Sequence, residues 1–419
     1  MNEIITVRGG KALRGRISIN GSKNSALACI SAACLVNDHS TIELKNVPNI
    51  SDINIMCDII RDLGKTVEFE NGCLKISGEF SNCEVSTTLA GKIRGSMYFL
   101  GILLATMGEV HCGFPGGDQI GDRPIDIHLF GLKKLGAECN IINGVVEGKV
   151  TDRLEGNKIY LKYPSVGATC NLMIAASRAY GKTVIDNCAK EPEIVDLSNL
   201  LIEMGVKVIG AGTDRITITG QEVIHGDICH EIISDRIEAG VLAVATTITG
   251  GEVLIDNTLP YHNYPLISLL NEHGGYVEEM DNGILVRSEG IISPVEVEMM
   301  PFPGVATDLQ AAVTVMATRS TGISTIVDHV FQDRFQYVDE LRNMGAEIER
   351  RGNTLKVYGG KPLTGTMVFG NDIRAVSALI CAGLVADGTT LIEGVTHLRR
   401  GYPDLDAKFR QLGADVTIG

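Results

Sequence analysis

The sequence predicts an α/β protein of two similar domains, each built from three repeats, and three observations carry that expectation. The first is a signature that recurs six times, an amphipathic helix ending in a glycine and followed by a strand, a turn and another strand. It reads IIRDLGKTVEF, GLKKLGAECNI, LLIEMGVKVIG, LLNEHGGYVEE, ELRNMGAEIER and KFRQLGADVTI. The glycines are Gly64, Gly136, Gly205, Gly274, Gly345 and Gly413, at intervals of 72, 69, 69, 71 and 68 residues. So even a period marks a repeat architecture. The second observation is another helix in each repeat that is apolar nearly all round, as in NSALACISAACLV, NLMIAASRAY, GVLAVATTIT and AVSALICAGLVA. Such a helix is buried on every face. The third is a small turn and a β-rich segment after each buried helix: GEVHCGF, GKTVIDN, GEVLIDN, GISTIVDH and GTTLIEG.

Within a repeat the elements run strand, helix, strand, helix, strand, strand. The glycine that ends the amphipathic helix supplies the positive φ needed to turn into the next strand. Asn71-Gly72, Asn282-Gly283 and Gly352-Asn353 then close hairpins of alternating residues. GAGTDR (210–215) holds two glycines of a dinucleotide-type pattern but lies between strands, and reads as a hairpin turn. Buried helices inside outer sheets, three repeats to a globule, give two α/β domains facing across a cleft. No Pro/Gly/Ser linker marks a boundary, so the repeats place it near residue 230.

Composition narrows the function. Of 419 residues 44% are hydrophobic and 21% charged, and the formal net charge is -14. That balance fits a soluble globular protein and makes nucleic acid and anionic membrane poor partners. Met1 leads into a strand-like IITV, with no basic start or long apolar run, so no signal peptide is expected. Apolar stretches such as 25–36 and 99–107 fall short of the ~18 residues that span a membrane. Eleven cysteines, without CxxC or Cys/His spacing, point to reduced thiols in a cytoplasm rather than disulfides or a metal site.

Glycine, charge and small polar residues gather in the loops that recur at equivalent points. The buried helices open on GSKN (21–24), GKIRGS (91–96), SVGAT (165–169), SDRIE (234–238), ATDLQ (306–310) and NDIR (371–374). The outer helices open on PGGDQIGDRP (115–124), EPEIVD (191–196), FQDRF (331–335) and HLRRGY (397–402). Helix-start N–H groups with Lys23, Arg94, Arg123, Arg374 and Arg400 would make an anion site. Asp118, Asp308 and Asp372 would bring acid–base groups beside it. Taken singly, each acid or arginine is more often a cap or a surface ion pair; recurrence at one repeat position is the argument. His128 and His397 read as packed or hydrogen-bonded, with His397 drawing interest only for its place beside Arg399-Arg400. Among other classes, a ring-shaped DNA clamp could also hold six α/β repeats, but its helices would carry lysines where these are apolar.

Taken together, RGGKALRGRISINGSKNSAL, PGGDQIGDRPIDIHL, PSVGAT, EPEIVDL, SDRIEAG, ATDLQA, DIRA and RRGY make the chain resemble, along essentially its whole length, the UDP-N-acetylglucosamine enolpyruvyl transferase family. The resemblance implies an inside-out α/β barrel fold of two domains, each of three βαβαββ repeats around buried helices, with an interdomain cleft. The domains would be 21–232, and 1–20 together with 233–419. It implies transfer of the enolpyruvyl group of phosphoenolpyruvate to the 3-hydroxyl of UDP-N-acetylglucosamine, with release of phosphate and no metal or organic cofactor. Lys23, Arg123 and Arg400 would hold the donor phosphate with Asn24 near it, and Arg374 its carboxylate. Asp308 would take the hydroxyl proton, and Asp372 would assist at the ketal intermediate. Asn24, Arg94, Pro124, Ile125, Asp126, Ile127, Ser165, Val166, Gly167, Thr307 and Val330 would line the UDP-sugar site with Asp308, and Glu191, Arg236 and Glu238 would lie near it.

Asp118 stands where most of the family carries a cysteine that protonates the donor methylene carbon and is alkylated by fosfomycin; a minority carry Asp. The resemblance therefore implies a carboxylic general acid and fosfomycin resistance. The chain departs from the family pattern at Val305-Ala306, Arg399, Pro403, Tyr98 and Cys170, which leaves room for a diverged acceptor. The 5-enolpyruvylshikimate-3-phosphate synthases share fold and donor, but SVGAT and DRIEAG favour the UDP-sugar branch. The oligomeric state is not fixed by the sequence.

Overall fold

The computed structural model describes residues 3–36, 40–117 and 124–419. Six four-stranded sheets form, all with one pattern of parallel and antiparallel pairing. In the sheet that shows it most plainly, Lys158–Tyr160 pairs in parallel with Lys182–Asp186. The latter pairs antiparallel with Arg215–Thr219, whose other neighbour is the antiparallel strand Lys207–Ile209. The parallel pair needs a crossover, and the buried helix Val166–Ala176 supplies it. The antiparallel pair needs only a turn.

The residues fall into two compact units, 3–20 with 234–419, and 21–117 with 124–233. Each has its own hydrophobic core. In one, the helices Arg236–Thr249, Gln310–Thr318 and Ile373–Val385 pack on one another; in the other, Lys23–Ala33, Tyr98–Thr106 and Val166–Ala176 do. Small residues let their backbones approach. A Cβ on Gly101 would stand 2.3 Å from Asn171 Oδ1, the atom that accepts the Gly101 N–H at 2.9 Å. Asn171 Nδ2 donates to Met97 O and to His128 Nδ1, both at 3.1 Å. One buried amide thus joins two core helices and the outer helix Asp126–Lys134.

All six signature glycines have φ between 88° and 113°. A side chain there would be strained whatever the space around it. Asn71 and Gly72 (φ 50° and 76°) form the expected hairpin turn, and 210–215 joins the strands Lys207–Ile209 and Arg215–Thr219 as a turn. One turn differs. Gly283 pairs with Met280 inside its strand, so the hairpin closes through Asp281-Asn282 instead of Asn282-Gly283. Its glycine serves close packing: a Cβ would stand 2.8 Å from Ile255 O.

Three strands leave their place in sequence. Arg14–Ser18 pairs in parallel with Glu252–Asp256, and Ile228–Glu231 pairs in parallel with Thr41–Lys45. Each sheet of the first repeat of a unit therefore takes its edge strand from a distant part of the chain. Ile4–Arg8 sits between Thr389–Glu393 and Asp415–Ile418, both antiparallel to it.

Candidate functional site

In the unit formed by 21–117 and 124–233, Lys23 opens the helix Lys23–Ala33, capped by Ser22. Its Nζ lies 2.7 Å from Asp52 Oδ2, with the side chains only 10% and 4% exposed. An ammonium this deep needs a partner, and Asp52, in the first turn of Ser51–Asp62, provides it. The sequence reading missed Asp52. Asn24, next to Lys23, is exposed.

Arg94 starts a short 3-10 turn, Arg94–Met97, and donates from Nη2 to Pro124 O at 3.2 Å. That bond joins the recurrent loop at 91–96 to Pro124, the last residue of the recurrent stretch 115–124. Ile125 is buried, Ile127 half-buried, and the exposed Asp126 pairs with Lys162, which holds its carboxyl below the usual range. Ser165 caps Val166–Ala176 by accepting from Ala168 N at 3.3 Å. Gly167 lies against His128: a Cβ would stand 3.3 Å from the His128 ring. Burial, with the charge of Arg94 added, pushes His128 down to about 3, so it is neutral and takes the Asn171 bond as an acceptor. Glu191 is buried at the start of Pro192–Glu203, where its own carboxylate accepts the Lys190 N–H at 2.9 Å. Val166 is half-buried beside these residues.

A second buried cluster in this unit joins Cys29, Asp196 and His230, whose ligand-type atoms lie within 4.8 Å of one another. Asp196 accepts from Ser25 Oγ and, at 3.3 Å, from Ile233 N, and its Oδ1 is 3.1 Å from His230 Nε2. Burial, with the Asp196 carboxylate beside it, raises the Cys29 thiol well above its usual range. The cluster is a hydrogen-bond network that ties the Lys23 helix to its neighbours.

In the unit formed by 3–20 and 234–419, Asp308 lies in the short turn Thr307–Leu309 and is 23% exposed. Arg334 Nη1 stands 2.6 Å from its Oδ1, and Arg374 Nη2 stands 3.4 Å from its Oδ2. Burial would raise the Asp308 carboxyl, but Arg374, Arg334 and Arg236 together outweigh it and hold the group far below the usual carboxylate range. Arg374 is fixed from the other side: its Nη1 donates to Tyr402 Oη at 2.6 Å, and its guanidinium lies over the Tyr402 ring at 5.4 Å. Arg334 and the role of Tyr402 also escaped the sequence reading; FQDRF and RGY carried both residues, but nothing local reveals their partners.

Thr307 donates to the buried Asp328 at 2.7 Å, and Asp328 also accepts from Gln310 Nε2, Val330 N and Phe331 N. One carboxyl thus holds the 307–310 and 328–331 loops in register, with Val330 half-buried in the second of them. Asp372 caps the helix Ile373–Val385, its Oδ1 accepting from Arg374 N at 2.7 Å and Ala375 N at 3.0 Å. The structure gives it a capping task that fixes the backbone of Arg374. Arg236 follows the capping Asp235, with its guanidinium over the Phe302 ring at 5.7 Å.

Glu238 is 2% exposed at its side chain and pairs with Lys408 at 2.8 Å, while its other oxygen accepts Asn20 N at 2.9 Å. Burial raises it to about 6 even beside that ammonium. Both its oxygens serve the fold. Lys408→Met should therefore destabilise the protein by about 3–5 kcal/mol, the cost of leaving a buried charge without its partner; chemical denaturation measures it, and a loss within experimental error would mean Glu238 simply protonates. Arg400 is half-buried on Val395–Gly401, and its neighbour Arg399 is bidentate to Glu3 at 2.6 and 2.8 Å. His397 Nδ1 has no hydrogen bond among the described residues. Asp118 and Arg123 lie outside the described residues.

This fold is that of solved enolpyruvyl transferases. The enolpyruvyl transferase NikO from Streptomyces tendae matches with a TM-score of 0.89 at 23% identity, over 100% of this chain and 99% of that one. EPSP synthase from Acinetobacter baumannii matches at 0.79 and 19%, over the whole of both chains. The family profile for EPSP synthase (3-phosphoshikimate 1-carboxyvinyltransferase) matches residues 7–409. A UDP-N-acetylglucosamine 1-carboxyvinyltransferase of Halothermothrix orenii is 44% identical over 98% of both chains. One from Staphylococcus aureus (strain MRSA252), carrying the suffix 1, is 41% identical over 98% of both. The chain belongs to the EPSP synthase family, in its UDP-N-acetylglucosamine 1-carboxyvinyltransferase branch.

Proposed function

We propose that this protein transfers the enolpyruvyl group of phosphoenolpyruvate to the 3-hydroxyl of UDP-N-acetylglucosamine and releases phosphate. The observation that carries the reading is the 44% identity, across nearly the whole of both chains, to a protein of that name. Clustered cations beside a single acid at Asp308 support it, because the donor brings a phosphate and a carboxylate.

In this reading Lys23, Arg123 and Arg400 hold the donor phosphate, and Arg374 takes the carboxylate. The acceptor oxygen attacks C2 of the donor while its proton passes to Asp308, and a proton from Asp118 goes to the methylene carbon. That gives a tetrahedral ketal. Loss of a methyl proton and cleavage of the C2–O bond to phosphate then restore the double bond. Asp372 serves through the helix start it caps. Asn24, Arg94, Pro124–Ile127, Ser165–Gly167, Thr307 and Val330 form the UDP-sugar contacts, and Arg236 and Glu191 stand behind them. No step needs a metal or an organic cofactor.

Among the described residues no helix is long and apolar enough to cross a membrane. Eleven free cysteines, mostly buried, support a reducing compartment such as the cytoplasm. Phosphate release from phosphoenolpyruvate, measured with and without UDP-N-acetylglucosamine, tests the reaction. Release that depends on the acceptor is expected; no release with this acceptor, but turnover with another nucleotide sugar, would replace it.

A further inference from the structure

Four hydrogen bonds close a ring around the turn that presents Lys23 and Asn24. Ser22 caps the helix Lys23–Ala33 by accepting from Ser25 N at 3.4 Å. Ser25 Oγ donates to Asp196 Oδ2, and the same oxygen accepts from Ile233 N at 3.3 Å. Ile233 O in turn accepts from Ser22 N at 2.7 Å. Residues 23 and 24 lie between the two serines, so the ring fixes the backbone that carries both.

Asp196 is the charged member of that ring and is 3% exposed. An anion so deep needs a cation, and His230, 6% exposed, meets its other oxygen at 3.1 Å from Nε2. The opposite ring nitrogen, Nδ1, stands 3.0 Å from Glu203 Oε2. A neutral imidazole carries one N–H and donates to one carboxylate; only the imidazolium donates to both. Burial works against that cation, but the bonds to Asp196 and Glu203 outweigh it and raise His230 above the usual histidine range. Cys29 Sγ, on the Lys23 helix, also faces it. Cys229 and Glu231, its neighbours on the strand Ile228–Glu231, are exposed on the other face, in register with Glu43 and Lys45 of Thr41–Lys45.

We propose that Asp196 and His230 are positioning residues for Lys23 and Asn24: the imidazolium of His230 holds the Asp196 carboxylate, and that carboxylate holds the turn carrying both. The inference rests on the enolpyruvyl-transfer reading above, in which Lys23 grips the donor phosphate. Because the arrangement needs the His230 proton, it is complete at low pH and is lost as the pH rises through the raised pKa of the folded state.

Phosphate release is measured from about pH 6 to pH 10 for the wild type, Asp196→Ala, Asp196→Asn and Ser25→Ala, with donor and acceptor varied separately. Opening the ring in Asp196→Ala should lower kcat/KM for the donor by about 30-fold or more, since about 1 Å of misplacement can cost about 100-fold. Asp196→Asn keeps an oxygen for Ser25 and Ile233 and an amide N–H for a neutral His230, so it should stay within about threefold of the wild type. Its alkaline limb should lie above that of the wild type, because the turn no longer depends on the His230 proton. Ser25→Ala removes one hydroxyl and leaves Asp196 with Ile233 and His230. It should cost about fivefold with Tm almost unchanged, and it decides the matter where Asp196→Ala does not fold.

Equal losses in Asp196→Ala and Asp196→Asn, accompanied by a lower Tm, would reduce the network to scaffold and overturn the proposal. An effect on the acceptor KM alone would overturn the link to Lys23. A measurement on the wild type needs no variant: 15N spectra of the histidine side chains should show both ring nitrogens of His230 protonated at neutral pH, and a singly protonated ring overturns the proposal. A wild type without turnover would overturn the reaction and this inference together; an active wild type with indifferent variants would overturn only the inference.

Discussion

Fosfomycin should leave turnover by this protein intact, and Asp118→Cys should make it susceptible to time-dependent, covalent inactivation. A thiolate opens an epoxide far more readily than a carboxylate does, and position 118 carries a carboxylic acid. The cysteine nearest in sequence cannot substitute. Cys112 is fully buried in the strand Glu109–Gly113, and burial pushes its thiol up to about 12. At neutral pH about one such group in 10⁵ is ionised. Intact-mass spectrometry after exposure to the drug reads the outcome directly. A wild-type adduct on a peptide from the 114–122 loop would sink the prediction, and so would an Asp118→Cys variant that is active yet never labelled.

Asp308→Asn should lower kcat by about 10²–10⁴-fold while leaving the donor bound at least as well as before. A carboxamide keeps the shape but cannot accept the acceptor proton, and loss of a positioned base costs about that much. Arg334 and Arg374 at the same time lose the carboxylate they now share. Their charge becomes available to an anionic donor, so its KM should stay level or fall. That split separates a lost base from a damaged site, since general misfolding would raise the donor KM. A variant within about fivefold of wild-type kcat would assign the proton to another group.

Much of this protein was legible in its residues. Gly64, Gly136, Gly205, Gly274, Gly345 and Gly413 were readable because a positive φ at a helix end is a local demand, written where it is felt. The buried helices were readable for a similar reason. A helix such as Val166–Ala176, apolar on all faces, has no solvent side to offer, so its own composition says that other elements surround it. The loops that hold Lys23, Arg94, Ser165, Thr307 and Arg374 were found by their recurrence at the same repeat position.

Other features depended on chain folding. The edge strands Arg14–Ser18 and Ile228–Glu231 look like any alternating segment, and only parallel pairing with Glu252–Asp256 and Thr41–Lys45 shows which sheets they complete. Gly283 looked like a turn residue and proved to be a packing one, because the close carbonyl belongs to a neighbouring strand.

By itself, then, the sequence determined the repeat, the buried helices, the loops that recur at equivalent points and the acid at position 118. Each of these is a property of a short segment or of its recurrence. The tertiary structure alone decided the partners of the charges: Lys23 with Asp52, Glu238 with Lys408, and Asp308 between Arg334 and Arg374. It also showed Asp372 to be a helix cap. An ion pair is set by distance and burial, and residues 29, 170, 26 and 66 positions apart in the chain acquire both only when the fold brings them together.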